Sequence, residues 1–239
     1  MILCIDSGNT RIKWGLHDGR GWCESGAVAH AHLPELAALT QRFSPEKVVF
    51  SNVAGDAAAQ GIYQALAIWQ PLFIEARASQ HAAGVSNQYE KPQQLGVDRW
   101  CALIGARGLT QKACLVVMAG TATTIDTLDG EGRFCGGLIL PGIHLMQRAL
   151  SRDTAALPLA SGQYVPYPKN TDDAIVSGCL EAQAGAVERA FQCIAHLPNA
   201  LCLLSGGAAP SLAPLLHIPH QRIDNLVLEG LARMSQASG

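Results

Sequence analysis

Ile2-Leu3-Cys4-Ile5 runs into Asp6-Ser7-Gly8-Asn9-Thr10, then into Arg11-Ile12-Lys13-Trp14-Gly15-Leu16-His17 and Asp18-Gly19. The same order returns in Cys114-Leu115-Val116-Val117, Met118-Ala119-Gly120-Thr121-Ala122, Thr123-Thr124-Ile125-Asp126-Thr127-Leu128 and Asp129-Gly130. Each copy is a short apolar run, a turn centred on glycine, an alternating strand and a hairpin signal. A duplication fixes architecture more firmly than local cues, because each copy must fold as the same unit. Two such hairpins, one per half, predict a two-lobed protein that grips a nucleotide phosphate between matching loops.

Working outward, residues 2–28 read as a three-stranded meander. Ile12, Trp14 and Leu16 alternate with Arg11, Lys13 and His17, so one face is buried. Leu33, Leu36, Leu39 and Phe43 form a helical stripe over 34–43, which Pro45 ends. Val48-Val49-Phe50 is a buried strand leaving at Ser51-Asn52. A helix over 57–69 and a strand at 72–74 follow. Residues 76–95 lack a clear period and read as a loop, and a helix over 96–106 follows with Gly108 as its stop. Beyond the second copy come a helix carrying Ile143, Met146 and Leu150, an irregular stretch, and a helix over 172–197. A strand over 200–204 then ends in Ser205-Gly206-Gly207, and a last helix covers 226–235. Tight turns make the first three strands antiparallel, which excludes a simple strand–helix alternation. The expectation is an α/β protein with mixed sheets and lobes at 1–111 and 112–239.

The 239 residues are 49% hydrophobic and 15% charged, which supports a real core and excludes a disordered chain. A net charge of -2 without a Lys/Arg run gives no footprint for nucleic acid or an anionic membrane. The eight cysteines include no C-x-x-C pair; Cys4, Cys114, Cys135 and Cys202 lie in apolar runs and read as reduced core thiols. His30 and His32 have no carboxylate or thiol at ligand spacing and read as a solvated loop. The N-terminal apolar run is too short for a signal peptide, and no stretch reaches the length of a membrane span. A cytoplasmic location is the default expectation.

The turn at Asp6 brings a carboxylate, backbone N–H groups and the polar side chains of Asn9 and Thr10 to one point. Gly8 lets a phosphate approach the backbone. Asp6 suits magnesium, held largely through water because that ion keeps much of its hydration. Lys13, on the polar face of the next strand, reaches the same phosphate as a point charge. An ordinary Asx-type turn would look the same. Gly120, Thr121 and Thr123 repeat the arrangement, and Gly206-Gly207 offers backbone to a base or ribose. Each is weak alone; three in the order of a two-lobed nucleotide clamp are a stronger signal.

Asp6-x-Gly8-Asn9-Thr10, Gly96-Val97-Asp98-Arg99, Gly120-Thr121-Ala122-Thr123, Gly136-Gly137 with Pro141-Gly142, and Asn170-Thr171 with Ala174, Ile175 and Gly178 fall in one order. Asp224-Asn225-Leu226 and Glu229-Gly230-Leu231 extend it almost to the end. Together they resemble the type III pantothenate kinases of the actin-like (ribonuclease H-like) superfamily, which also holds acetate and sugar kinases. The resemblance implies a duplicated two-lobed ATPase fold and ATP-dependent phosphorylation of pantothenate, the first step towards coenzyme A. It also implies magnesium with the ATP, a potassium or ammonium ion beside the phosphates, and a homodimer.

On the same resemblance Asp98 is the catalytic base, and Tyr89, Gly96, Val97 and Arg99 bind pantothenate. Thr171 supplies a pocket hydroxyl near the dimer interface. The helix reading puts Asp98 in a first turn, where the helix dipole favours an anion. A carboxylate that only stabilises the helix start fits the same place. Competing readings are a surface salt bridge for Arg99, a half-buried loop aromatic for Tyr89 and a helix N-cap for Thr171.

One position departs from the pattern. The two hairpins set Asp6 against Met118, where many members of the family carry an aspartate associated with the monovalent-cation or metal site. A thioether is a poor ligand for hard cations, and Asp126 lies on the following strand. The expectation is weak dependence on potassium or ammonium, or a cation held only by backbone, substrate and phosphate oxygens. Met118 favours an alternative, a non-catalytic accessory or regulatory protein that keeps the fold, since the family includes a Bvg accessory factor branch. A superfamily kinase with another small substrate is a third reading. Asp6 and Asp98 together favour the pantothenate kinase.

Overall fold

A computed structural model describes residues 1–237. In chain order the elements are β1 (Ile2–Ser7), β2 (Arg11–His17), β3 (Trp22–Ala29), α1 (Leu33–Ala37), β4 (Lys47–Asn52), α2 (Asp56–Ala65), β5 (Phe73–Glu75), β6 (His81–Ala82), β7 (Val85–Asn87) and α3 (Val97–Leu109). They continue as β8 (Cys114–Ala119), β9 (Ala122–Leu128), β10 (Arg133–Pro141), α4 (Ile143–Asp153), α5 (Thr171–Phe191), β11 (Leu201–Ser205), α6 (Ala209–Leu212), β12 (His220–Arg222) and α7 (Leu226–Ala237). The chain divides into two compact units. The first holds Met1–Gln111, Gly132–Phe134 and residues 225–237; the second holds Lys112–Glu131 and Cys135–Asp224.

Each unit is built on the same five-strand pattern. In the first the order is β3-β2-β1-β4-β5, with β1, β2 and β3 antiparallel and β4 and β5 added parallel to β1. In the second it is β10-β9-β8-β11-β12, with β8 antiparallel to β9 and parallel to β11, and β11 parallel to β12. The duplication in the sequence is therefore a duplication of mixed α/β sheets. Alternation in β2 buries Ile12, Trp14 and Leu16 with Leu3, Ile5, Val48 and Phe50. In the second unit Leu115, Val117, Ile125 and Leu204 pack against Val187 and Phe191 of α5. Each such large side chain contributes about 1.5–3 kcal/mol on burial.

The helix α7 packs on α3 within the first unit, although chain order assigns it to the second lobe. Close approach explains why. A Cβ on Gly105 would strike the Leu226 carbonyl oxygen, and one on Gly230 would strike that of Cys101. These glycines bring the two helices backbone to backbone and hold α3, which carries Asp98 and Arg99 at its N-terminal end.

Other local expectations are corrected by packing. Residues 76–95 contain the β6–β7 hairpin, whose turn puts Ala83 and Gly84 at φ 47 and 81. Alanine is seldom found there, so the usual Asn-Gly hairpin signal is missing. Gly108 does not stop α3, which continues to Leu109; the glycine makes room for the Arg233 guanidinium. Beyond Ala37 the first helix tightens into a 3₁₀ turn over Ala38–Gln41. The long helix α5 ends at Phe191, before 197. Cys135 is exposed because it alternates with the buried Phe134, whereas Cys4, Cys114 and Cys202 are buried and form no disulfide. The short elements α6 and β12 carry too few residues to show a period. No helix among the described residues is long and apolar enough to cross a membrane.

Candidate active site

In the first unit Asp6 is the penultimate residue of β1, flanked by Lys13 of β2 and Ser51 of β4. Its side chain is nearly withdrawn from solvent, and the Ser51 hydroxyl donates to its Oδ1 at 2.9 Å. Burial pushes its carboxyl from 3.8 to about 6; the Ser51 hydrogen bond opposes this, the Asp98 charge reinforces it and the Lys13 ammonium opposes it. Asp98 lies in the first turn of α3 and accepts the Arg99 N–H at 2.8 Å. A Cβ on Gly96 would lie 2.7 Å from Asp98 Oδ1, so that glycine makes space for the carboxylate. Val97 opens the helix behind it.

The turn after Asp6 is braced at both ends. The Gly8 N–H donates to the Arg11 carbonyl at 3.2 Å, and His30 Nε2–H donates to the Gly8 carbonyl at 2.7 Å. Asn9 and Thr10 are exposed. A Cβ on Gly8 would meet only the Arg11 carbonyl oxygen, at an ordinary 3.5 Å. The fold therefore does not require glycine here, whereas a phosphate pressed against the backbone would.

Arg99 is buried, and its Nη1–H donates to the Tyr89 hydroxyl at 3.0 Å. The Tyr89 N–H donates to Asn87 Oδ1 at 3.0 Å, and Asn87 Nδ2 donates to the Pro92 carbonyl at 3.1 Å. These bonds hold the loop that presents Tyr89. Arg99 is thus not on the surface.

In the second unit the Gly120 N–H donates to the Ala122 carbonyl at 3.1 Å, closing a turn one residue shorter than the one at Gly8. Gly206 has φ 104, and a Cβ on it would strike the Ala119 backbone. The Ala208 N–H donates to the Ala119 carbonyl at 3.0 Å, which lays the Gly206-Gly207 turn beside the Gly120 turn. Thr121 is exposed, while Thr123 is buried in β9. Thr171 opens α5, but Asn170 is the cap, its Oδ1 accepting the Asp173 N–H at 2.8 Å. Thr171 instead lines an open groove of about 780 Å³ with Met146, Leu150, Leu157 and Ile175.

Met118 takes the place in β8 that Asp6 takes in β1, between Thr124 of β9 and Ser205 of β11. The Thr124 and Ser205 hydroxyls are buried and have no hydrogen-bond partner. In the first unit the matching serine, Ser51, bonds its aspartate. The thioether thus leaves a buried donor without an acceptor, a cost of about 1–3 kcal/mol per group. No cluster of three or more His, Cys, Asp or Glu residues that could hold a metal occurs among the described residues. The donors around Met118 do not fit a monovalent cation held by a side-chain anion. The buried Asp6 carboxylate does fit magnesium, which takes one or two carboxylates and fills its remaining positions with water and phosphate oxygens.

Sequence reasoning missed Ser51 and His30. Ser51 had a signal, since Ser51-Asn52 and Ser205-Gly206 leave equivalent strands of the repeat. His30 had none, because its partner is a backbone carbonyl distant in sequence.

The family model for type III pantothenate kinase matches residues 2–192. A type III pantothenate kinase of Dechloromonas aromatica is 55% identical over 239 residues, covering 100% of both chains. Among solved structures, a Baf family transcriptional activator from Campylobacter jejuni superposes with a TM-score of 0.67 at 20% identity, over 99% of this chain and 98% of that one. The activator of the 2-hydroxyisocaproyl-CoA dehydratase from Clostridium difficile, solved with bound ADPNP, gives 0.54 at 13% identity, over 99% and 93%. The two structures share the duplicated actin-like fold. At this identity and coverage, the chain belongs to the type III pantothenate kinase family.

Proposed function

We propose that this chain transfers the γ-phosphoryl group of ATP to the primary hydroxyl of pantothenate, with Asp98 as the general base. The observation that carries the reading is the first unit's grouping of Asp6 and Asp98 on elements that also hold Arg99 against Tyr89. The hydroxyl is a poor nucleophile, and a carboxylate that takes its proton is worth about 10²–10⁴ in rate. Positioning and charge neutralisation supply most of the remainder in phosphoryl transfer. Asp6 would hold magnesium, which neutralises charge on the phosphate oxygens when bound, and Asp98 is left free to take the proton. Gly8, Asn9, Thr10 and Lys13 receive phosphate, as do Gly120, Thr121, Gly206 and Gly207 in the second unit. Arg99 takes the pantothenate carboxylate as a fork, with Tyr89, Gly96 and Val97 beside it. The product is 4'-phosphopantothenate.

The chain acts as a homodimer in this reading. Leu138, Ile139, Leu145 and Leu159 are exposed on the second unit, and the groove beside Thr171 is largely apolar. Monovalent cations contribute little, because Met118 offers no charge. The test is ADP release with magnesium and ATP across a panel of small hydroxy acids. Release stimulated by pantothenate is expected. Release stimulated only by another acceptor would point to a different substrate, and none at all to the non-catalytic reading that Met118 favours.

A further inference from the structure

We infer that Phe134, paired with Tyr89, is a positioning residue for Arg99 and so sets selectivity for an acceptor that carries a carboxylate. The inference rests on the reading of Arg99 as the carboxylate-binding group. Phe134 lies in the short stretch Gly132–Phe134 that belongs to the first unit. There Arg133 pairs with Ser86 and Phe134 with Asn87, in parallel register with β7. The Ser86 N–H donates to the Gly132 carbonyl at 2.9 Å and fixes the start of that pairing. The register sets the Phe134 ring 5.2 Å from that of Tyr89, with the planes 39° apart. The Arg99 guanidinium carbon lies 5.7 Å from each ring centroid.

The three centres form a nearly equal triangle, a cation resting on a platform of two rings. Phe134 is 0% exposed and Arg99 only 4%, so little water is left to solvate the charge. Attraction to a ring face strengthens as the cation is desolvated. Tyr89 holds Arg99 by its hydroxyl as well as its ring. Phe134 has only its π-face, and an aliphatic side chain would fill the same volume without drawing the charge. A guanidinium confined against two rings keeps its in-plane donors at a fixed tilt. A planar carboxylate can then be gripped by two parallel hydrogen bonds, a geometry that a neutral hydroxyl cannot reproduce.

The test compares initial rates with pantothenate and with its neutral analogue, in which a hydroxymethyl group replaces the carboxylate. Phe134→Leu should raise KM for pantothenate about tenfold, equivalent to about 1.4 kcal/mol. Its kcat, its KM for ATP and its KM for the alcohol should stay within about twofold, so that selectivity for the acid falls. Phe134→Tyr should restore selectivity because it keeps the ring. Should Phe134→Leu fail to fold, Phe134→Met fills the site without a π-face and carries the same expectation. Selectivity retained in the aliphatic variants, or lost equally in Phe134→Tyr, would overturn the inference. Arg99→Met separates the two levels. Unchanged selectivity there would sink the carboxylate reading of Arg99, whereas loss there and retention in Phe134→Leu would sink only the role of Phe134.

Discussion

Replacing Asp6 by asparagine should stabilise the metal-free protein above pH 6 while impairing it as an enzyme. The Asp6 carboxyl is raised from 3.8 to about 6 in the folded protein. The folded state therefore binds the proton more tightly than the unfolded chain does. That stabilisation is complete below pH 3.8, declines through the window, and is lost once pH passes about 6. Above it, ionised Asp6 costs the fold on the order of 2–3 kcal/mol at 1.36 kcal/mol per pK unit. Asparagine keeps the shape and an oxygen for Ser51 while placing no charge beside Asp98. Urea denaturation without magnesium should show Asp6→Asn more stable than the parent at pH 8, with the difference closing towards pH 4. Magnesium with ATP should narrow the gap at pH 8 by stabilising the parent selectively. A parent as stable as the variant at pH 8, or one whose stability is flat between pH 5 and 8, would refute the reasoning.

Initial rates in potassium, ammonium, sodium and a bulky organic cation, at constant ionic strength, should differ little. A large activation specific to potassium or ammonium would show that the cation site survives without an acid at Met118. Met118→Asp should give Ser205 the acceptor that Asp6 gives Ser51 and should confer potassium activation; an unchanged profile would place the residue away from any cation. Light scattering at micromolar concentration should report a dimer, and a monomer would contradict the proposed assembly. Gly230→Ala should cost about 1–3 kcal/mol by overpacking and should slow turnover by displacing α3. A variant that melts with the parent would remove close helix contact as the reason for glycine there.

The parts of this fold that were legible in the sequence are those written in repeats and periods. Asp6 and Met118 could be set against each other because two apolar runs, two glycine turns and two alternating strands recur, and the β1–β2 and β8–β9 registers repeat that equivalence. Residues whose role depends on contacts distant in sequence were not legible. Gly230 faces Cys101, His30 faces Gly8 and Phe134 faces Tyr89, and no local pattern announces such pairs. Gly108 misled because a glycine that makes room for another side chain looks like one that ends a helix. Asp98 stood out in the sequence only through the resemblance, since a carboxylate in a first helical turn is good capping physics on its own.

The central claim is that the Asp98 carboxylate takes the proton of the pantothenate hydroxyl. Steady-state ADP release by Asp98→Asn, measured beside the parent with saturating magnesium, ATP and pantothenate, tests it most directly. The account expects kcat to fall by about 10²–10⁴ with modest changes in both KM values. Turnover near that of the parent would contradict it.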